Sequence, residues 1–266
     1  MQYINVDDGK LYYEMAGEGE PLVLVHAGFV DSRMWDAQWQ TFKERFRVVR
    51  FDMLGYGRSD KATQPVSRRA HLARLLDALD IQRAHLIGCS MGGEIIIDFA
   101  LEHPDRALSL IPVSAVPTGF EMQGEPPALM MEMIGALQAG DLDRAADLQI
   151  RLWVDGEQRQ PEQVDPAVRQ HAAMMNRIFV QNGTWAYDMQ PSDPLTPPAA
   201  TRLQDLTMPA LVIAGALDHP EIVRAAEVMV SGLPNARKLI MAGCAHVPNM
   251  EKPDEFNRAV LEFLEG

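Results

Sequence analysis

One stretch constrains this chain more than any other: Ala84-His85-Leu86-Ile87-Gly88-Cys89-Ser90-Met91-Gly92-Gly93, running directly into Glu94-Ile95-Ile96-Ile97-Asp98-Phe99-Ala100. It reads as a short apolar strand, a turn of small residues, and an apolar helix. A serine with glycines two before and two after can occupy a sharp, strained corner with its hydroxyl exposed. Side chains at those glycine positions would strike the neighbouring strand and helix. The flanking strand and helix turn a short pattern into a strong constraint.

The rest of the chain alternates in the same way. Residues 2–6 and 10–16 read as a hairpin around Asp7-Asp8-Gly9. Leu22-Val23-Leu24-Val25 is a continuous apolar run of the kind buried on both faces, ending in His26-Ala27-Gly28-Phe29. A helix is expected from Asp31 or Ser32, carrying Trp35 and Phe42. Arg47 to Phe51 is the next strand, followed by the glycine-punctuated loop Asp52-Met53-Leu54-Gly55-Tyr56-Gly57-Arg58-Ser59-Asp60. Residues 67–79 carry leucines at helical spacing, the elbow helix runs to about His103, and Leu108 to Val113 is another strand. Its Pro112 fits a strand end or an irregularity better than a mid-ladder position.

Periodicity then changes. Between Thr118 and Gln204 there are only helical patches, at 127–139, 141–153 and 166–181, with a proline-rich exit at Pro191, Pro194, Pro197 and Pro198. Strand logic resumes at Ala210 to Ala214, followed by a helix at 221–231, a strand at Arg237 to Ile240 and a closing helix at 254–264. Alternation of this kind implies an α/β domain built on a mostly parallel, doubly wound sheet. The expected division is a core of residues 1–117 and 205–266 with a helical insertion, 118–204, before the last strands.

A net charge of −13 with no basic run argues against nucleic acid or an anionic membrane as partner. No signal-like start and no apolar run approaching a membrane span are present. Cys89 and Cys244 are the only cysteines, so no disulfide framework is expected and the default location is cytoplasmic. The expected partner is a small-molecule substrate, the expected state a monomer or homodimer.

A serine hydroxyl is a weak nucleophile that needs an adjacent base, itself oriented by an acid. Parallel sheets present such residues beyond the carboxyl ends of their strands. The two strands after the insertion end in Ala214-Gly215-Ala216-Leu217-Asp218 and Met241-Ala242-Gly243-Cys244-Ala245-His246, which offer a carboxylate and an imidazole. The order Ser…Asp…His is that of the α/β-hydrolases.

Over essentially its whole length the chain resembles a capped α/β-hydrolase of the esterase type. The resemblance is carried by His26-Ala27-Gly28-Phe29, by Asp52 through Ser59, by Gly88 through Gly92, and by His246 before the last helix. It implies an α/β-hydrolase fold in which Ser90 is the nucleophile, His246 the general base and Asp218 its orienter. The oxyanion hole would be the backbone N–H groups of Met91 and Phe29. Ala27 departs from the family, where many relatives carry glycine. The alternative acid position, after the strand that follows the elbow helix, holds Ser114 and Ala115, so Asp218 is the better candidate; Asp52 is the next. Relatives that open epoxides or displace halide carry aspartate at the elbow, so the resemblance points to ester hydrolysis on modest, mostly apolar substrates. No metal or cofactor is implied.

Other readings stay open. Asp218 is also a candidate N-cap for the helix behind it. His26 reads as a structural hydrogen-bonding residue beneath the oxyanion loop, and His85 as a core histidine. The insertion methionines (Met122, Met130, Met131, Met133, Met174, Met175, Met189) read first as core filler. Trp153, Phe179, Trp185 and Tyr187 offer apolar walls for a cap over Ser90. A lactonase or C–C bond hydrolase would use the same triad, and Ser32-Arg33-Met34-Trp35-Asp36 is similar to enol-lactone hydrolases. Their anionic substrates would need a cationic anchor, for which Arg33, Arg159 and Arg177 are candidates. From a different class, some members of the family are small-molecule receptors.

Overall fold

The hairpin around Asp7-Asp8 is formed by β1 (Gln2–Val6) and β2 (Gly9–Ala16), with Gln2 opposite Tyr13. In the computed structural model, which describes residues 2–188 and 192–266, this hairpin begins an eight-stranded sheet. Met189 and Pro191 lie outside the described residues. The core then follows as β3 (Pro21–Val25), α1 (Asp36–Phe42), β4 (Arg47–Phe51), α2 (Arg68–Ala78), β5 (Ala84–Cys89), α3 (Met91–Glu102) and β6 (Ala107–Val113). The helix expected from Asp31 divides in two. A 3-10 turn, Ser32–Trp35, is capped by the Asp31 carboxylate, and α1 follows it.

Between β6 and the next strand lie α4 (Ala128–Ala139), α5 (Leu142–Ile150), α6 (Pro166–Asn182) and the short α7 (Trp185–Asp188). No strand occurs there among the described residues. The chain returns as β7 (Ala210–Gly215), α8 (Pro220–Gly232), β8 (Ala236–Met241), α9 (Pro248–Glu251) and α10 (Pro253–Glu265). The strand order is β1-β2-β4-β3-β5-β6-β7-β8, antiparallel at β1/β2 and β2/β4 and parallel elsewhere.

The central strands β3, β5 and β7 are almost wholly apolar and buried because both faces are covered, whereas the edge strand β8 carries Arg237 and Lys238. Val23, Val25 and Leu86 pack with Leu72, Leu75 and Phe99 on one side. Leu22, Leu24 and Ile87 pack with Trp35, Phe42 and Phe256 on the other. Pro112 lies within β6 opposite Gly88, one residue from its end. Toward β7 the ladder registers only Leu110 with Ala210 and Val113 with Ile213, an interruption where Pro112 has no N–H to give.

The methionines of the inserted segment divide. Met175 is buried, but Met122, Met131 and Met174 are 55%, 59% and 50% exposed, so core filler is the wrong account of those three. Helix α4 packs on α5 and leaves Met131 on its open side.

The two ends of the insertion are stapled to the elbow helix. Thr118 Oγ1 donates to Asp98 Oδ1 (2.8 Å) and accepts from Ala199 N (3.0 Å), while Ala200 N donates to Thr118 O (2.9 Å). Burial lifts the Asp98 carboxyl to about 6, opposed by its bond to Thr118. A carboxyl raised in the folded state contributes stability that is full below its unfolded pKa, about 4, and lost as pH rises through the folded value. Asp98→Asn keeps an acceptor for Thr118 and has no charge to bury. Relative to the parent, its unfolding free energy should therefore improve between about pH 4.5 and pH 8, by on the order of 1–3 kcal/mol. Denaturant melts of both proteins at the two pH values measure this. A difference independent of pH would refute it.

Candidate active site

Ser90 follows β5 directly and sits at φ 53°, ψ −118°, a left-handed backbone that a non-glycine residue adopts only under constraint. The constraint is visible around it. Ser90 N donates to Val113 O (2.8 Å), and Ser90 O accepts from Gly93 N (2.9 Å) and Glu94 N (3.1 Å). A Cβ at Gly88 would lie 2.2 Å from Gly92 O, and one at Gly92 would lie 2.3 Å from Val25 O. Only glycine lets strand, corner and helix approach this closely. Ser90 stays partly exposed, whereas its neighbour Cys89 is wholly buried, and burial, followed by the Asp218 charge, pushes its thiol pKa up.

His246 lies in the loop between β8 and α9 and is 2% exposed. Its Nδ1 is 2.8 Å from Asp218 Oδ2 and 3.1 Å from Oδ1. A carboxylate against Nδ1 places the proton there and leaves the lone pair on Nε2. Nε2 is buried and has no hydrogen-bond partner among the described residues. The loop is packed against the elbow, with Cys89 Sγ 3.6 Å from His246 O. No Ser90 Oγ–Nε2 hydrogen bond is made; bonds of this kind often reach full length and alignment only around a bound substrate. The N-cap of α8 is His219, whose Nδ1 accepts from Glu221 N, so capping that helix is not the role of Asp218.

Across from the elbow, the loop 26–29 presents Phe29. Phe29 N–H and Met91 N–H donate to no acceptor among the described residues. A Cβ at Gly28 would lie 2.8 Å from Met91 Cε, so the two loops touch. His26 beneath them is wholly buried. Its Nδ1 bonds to Ala27 O (2.8 Å) and its Nε2 accepts from Met53 N (2.9 Å); burial depresses its pKa to about 4. It is a neutral structural bridge. Asp52 accepts from Ser32 N (2.9 Å) and Arg58 N (2.8 Å), which ties it to the loop after β4 and not to His246.

Of the four aromatic residues expected to wall a pocket, Trp153 alone is placed at the histidine. Its ring centroid is 4.6 Å from that of His246 and 6.3 Å from that of Phe29. It is carried by a π-helical turn, Arg151–Asp155, at the end of α5; such turns rotate a helix face locally and recur at functional sites. Phe179 instead stacks on Tyr56, and Trp185 and Tyr187 pack against the core.

Two of the three candidate cationic anchors are already paired. Arg33 is bidentate to Asp31 (Nε–Oδ1 2.9 Å, Nη2–Oδ2 2.6 Å). Arg159, 9% exposed, pairs with Glu251 (2.6 Å) and donates to the carbonyls of Val154, Asp155 and Gly243. Glu251 in turn accepts from Ala245 N (2.7 Å), so this pair ties the His246 loop to the turn that carries Trp153. Arg177 lines a depression with Asp141, Leu142 and Val180. The Arg33–Asp31 pair is local, two residues apart, whereas Glu251 meets Arg159 only through the fold. Among the described residues no group of three or more His, Cys, Asp or Glu is arranged to hold a metal, and no helix is long and apolar enough to cross a membrane.

A partly exposed serine on a strained strand–helix corner, beside a buried Asp–His pair, on an eight-stranded mostly parallel sheet, defines an α/β hydrolase. The profile of the alpha/beta hydrolase fold family matches residues 20–253, and the chain belongs to that family. It is similar to a 2-hydroxy-6-oxo-6-phenylhexa-2,4-dienoate hydrolase of Comamonas testosteroni, 27% identical over 98% of this chain and 93% of that protein. It is equally similar to a pimeloyl-[acyl-carrier protein] methyl ester esterase of Yersinia enterocolitica, 27% identical over 96% of this chain and 98% of the relative. The solved enol-lactonase of Burkholderia xenovorans superposes over all of both chains with a TM-score of 0.81 at 23% identity, a likeness of fold.

Proposed function

We propose that this chain is a serine hydrolase that cleaves carboxylic esters of small to medium, mostly apolar substrates through an acyl-enzyme on Ser90. The observation that carries the reading is the buried His246–Asp218 pair, its Nε2 unpartnered, against the strained Ser90 corner. In this mechanism Ser90 Oγ attacks the ester carbonyl and gives its proton to His246 Nε2. Asp218 holds the imidazole and stabilises the imidazolium. Negative charge gathers on the carbonyl oxygen, where the Phe29 and Met91 N–H groups would receive it. Nε2–H then protonates the departing alcohol. Water, deprotonated by Nε2, attacks the acyl-enzyme, and the acid leaves with Ser90 restored.

Ester hydrolysis is preferred over C–C bond cleavage of anionic dienoates because two of the three candidate anchors, Arg33 and Arg159, are already committed to Asp31 and Glu251, and Arg177 lines a depression with Asp141 and Asp143. Trp153 and Phe29 add apolar surface beside His246. The 118–204 insertion acts in this reading as a cap over Ser90.

Each methylene buried is worth about 0.8 kcal/mol, roughly fourfold in kcat/KM, until the pocket is full. Rates on p-nitrophenyl esters should therefore rise with short acyl chains, peak, and fall. The series, run beside a lactone and a dienoate ring-cleavage product, tests the proposal. No ester turnover would leave a receptor or another hydrolase, and a rate jump at the surface of emulsified triglyceride would indicate a lipase.

A further inference from the structure

The Phe29 N–H, read above as an oxyanion donor, lies between two carbonyls that are both held by side chains from elsewhere in the chain. Tyr56 Oη donates to Gly28 O (2.8 Å), and Asn176 Nδ2 donates to Phe29 O (2.9 Å). In a trans peptide the C=O of one residue and the N–H of the next point in opposite directions. Holding Gly28 O therefore aims Phe29 N–H the other way, and the bond to the carbonyl polarises that N–H as a donor. Asn176 fixes the following peptide plane.

Both side chains are set for this. The Tyr56 ring is wholly buried, stacked on Phe179 of α6 (centroids 5.0 Å, planes 14° apart) and edge-on to His26 (4.9 Å). Asn176, also on α6, is wholly buried and donates to Gln149 of α5 as well. The neighbouring Gly55 O accepts from Thr184 Oγ1 (2.7 Å) and Asn182 Nδ2 (3.0 Å), so the loop that carries Tyr56 is gripped by the inserted segment too.

We propose that Tyr56 and Asn176 are positioning residues of the oxyanion hole, aiming the Phe29 N–H by holding the carbonyls on either side of it. This rests on the reading of Ser90 and Phe29 given under the proposed function. It also makes the inserted helices part of the hole, because α6 supplies Asn176 and the ring under Tyr56.

Tyr56→Phe removes one hydroxyl and keeps the stacked ring. Losing an oxyanion donor outright costs about 10²–10³ in kcat, so misaiming one should cost about 10- to 100-fold, with KM for a p-nitrophenyl ester within about twofold. The distinguishing readout is a boronic acid that forms the tetrahedral anion on the serine. Its affinity should fall by the same factor as kcat/KM, while a neutral amide analogue of the substrate binds unchanged. Asn176→Ala should act on the same donor, so the double variant should lose less than the product of the single losses. Melting temperatures of all three accompany the kinetics. If Tyr56→Phe keeps kcat and boronate affinity within about twofold while Ser90→Ala is inactive, the inference is wrong and the catalytic reading stands. Parallel losses of boronate and amide binding with a lowered melting temperature would also overturn it, by making the residues merely structural. An active Ser90→Ala would instead remove the catalytic reading beneath it.

Discussion

Ser90→Ala is expected to lose ester turnover by roughly 10⁴-fold or more, and His246→Ala by about as much, with the double variant little worse than either. In the proposed mechanism the hydroxyl and the imidazole act as one unit: without Ser90 Oγ there is nothing to acylate, and without Nε2 the hydroxyl keeps its proton. Removing the second member of a disabled unit therefore costs little. Ser90→Ala retains a Cβ at φ 53°, so the strained corner persists and the melting temperature should hardly move. An unchanged melt beside a lost rate places the effect in the chemistry. A serine-directed phosphonate should label Ser90 and no other residue. Retention of a tenth of the rate by Ser90→Ala would end the acyl-enzyme mechanism.

Asp218→Asn should cost about 10²–10⁴ in kcat with the fold intact. The reason is a proton inventory. Asp218 offers His246 Nδ1 an acceptor at 2.8 Å, so Nδ1 carries the hydrogen and Nε2 is free to take one. Asparagine can turn an N–H₂ donor toward Nδ1, which moves the ring hydrogen to Nε2 and removes the base. It also removes the negative charge that stabilises the imidazolium. The bond from His219 N to Asp218 Oδ1 (2.8 Å) can be kept by the amide oxygen, so the start of α8 should hold. Single-turnover rates on a p-nitrophenyl ester, with the melt as control, measure the effect. A near-normal rate would place the acid elsewhere. Asp52 is then a poor substitute, since its carboxylate is committed to Ser32 N and Arg58 N.

Much of the site is legible in the amino-acid sequence because it depends on local chemistry or on one rule of topology. The Gly88–Gly92 pattern specifies a corner whose steric demands are met within a few residues, and the fold shows those demands as contacts of 2.2–2.3 Å for any added Cβ. Asp218 and His246 can be sought at two loops because parallel strands deliver their carboxyl ends to one rim. The entry to α1 is less legible. A 3-10 turn and an α-helix share the same apolar spacing over so few residues, and the choice between them rests on packing.

What the sequence by itself determined is the main strands and longer helices, the mostly parallel sheet and the strained serine corner. These follow from apolar runs, glycine spacing and caps that act over a few residues. Only the tertiary structure decided how Arg159 is spent, which aromatic residue faces the histidine, and what holds the 26–29 loop. Arg159 meets Glu251, and Asn176 meets Phe29 O, across sequence separations of 92 and 147 residues. Trp153 reaches His246 through a π turn that no periodicity announces. A long polar or aromatic side chain has the same composition and local pattern whether it faces solvent, a carboxylate or a catalytic loop. Its partner is chosen by the packing of helices and strands distant in the chain, and that choice exists only once the fold has formed.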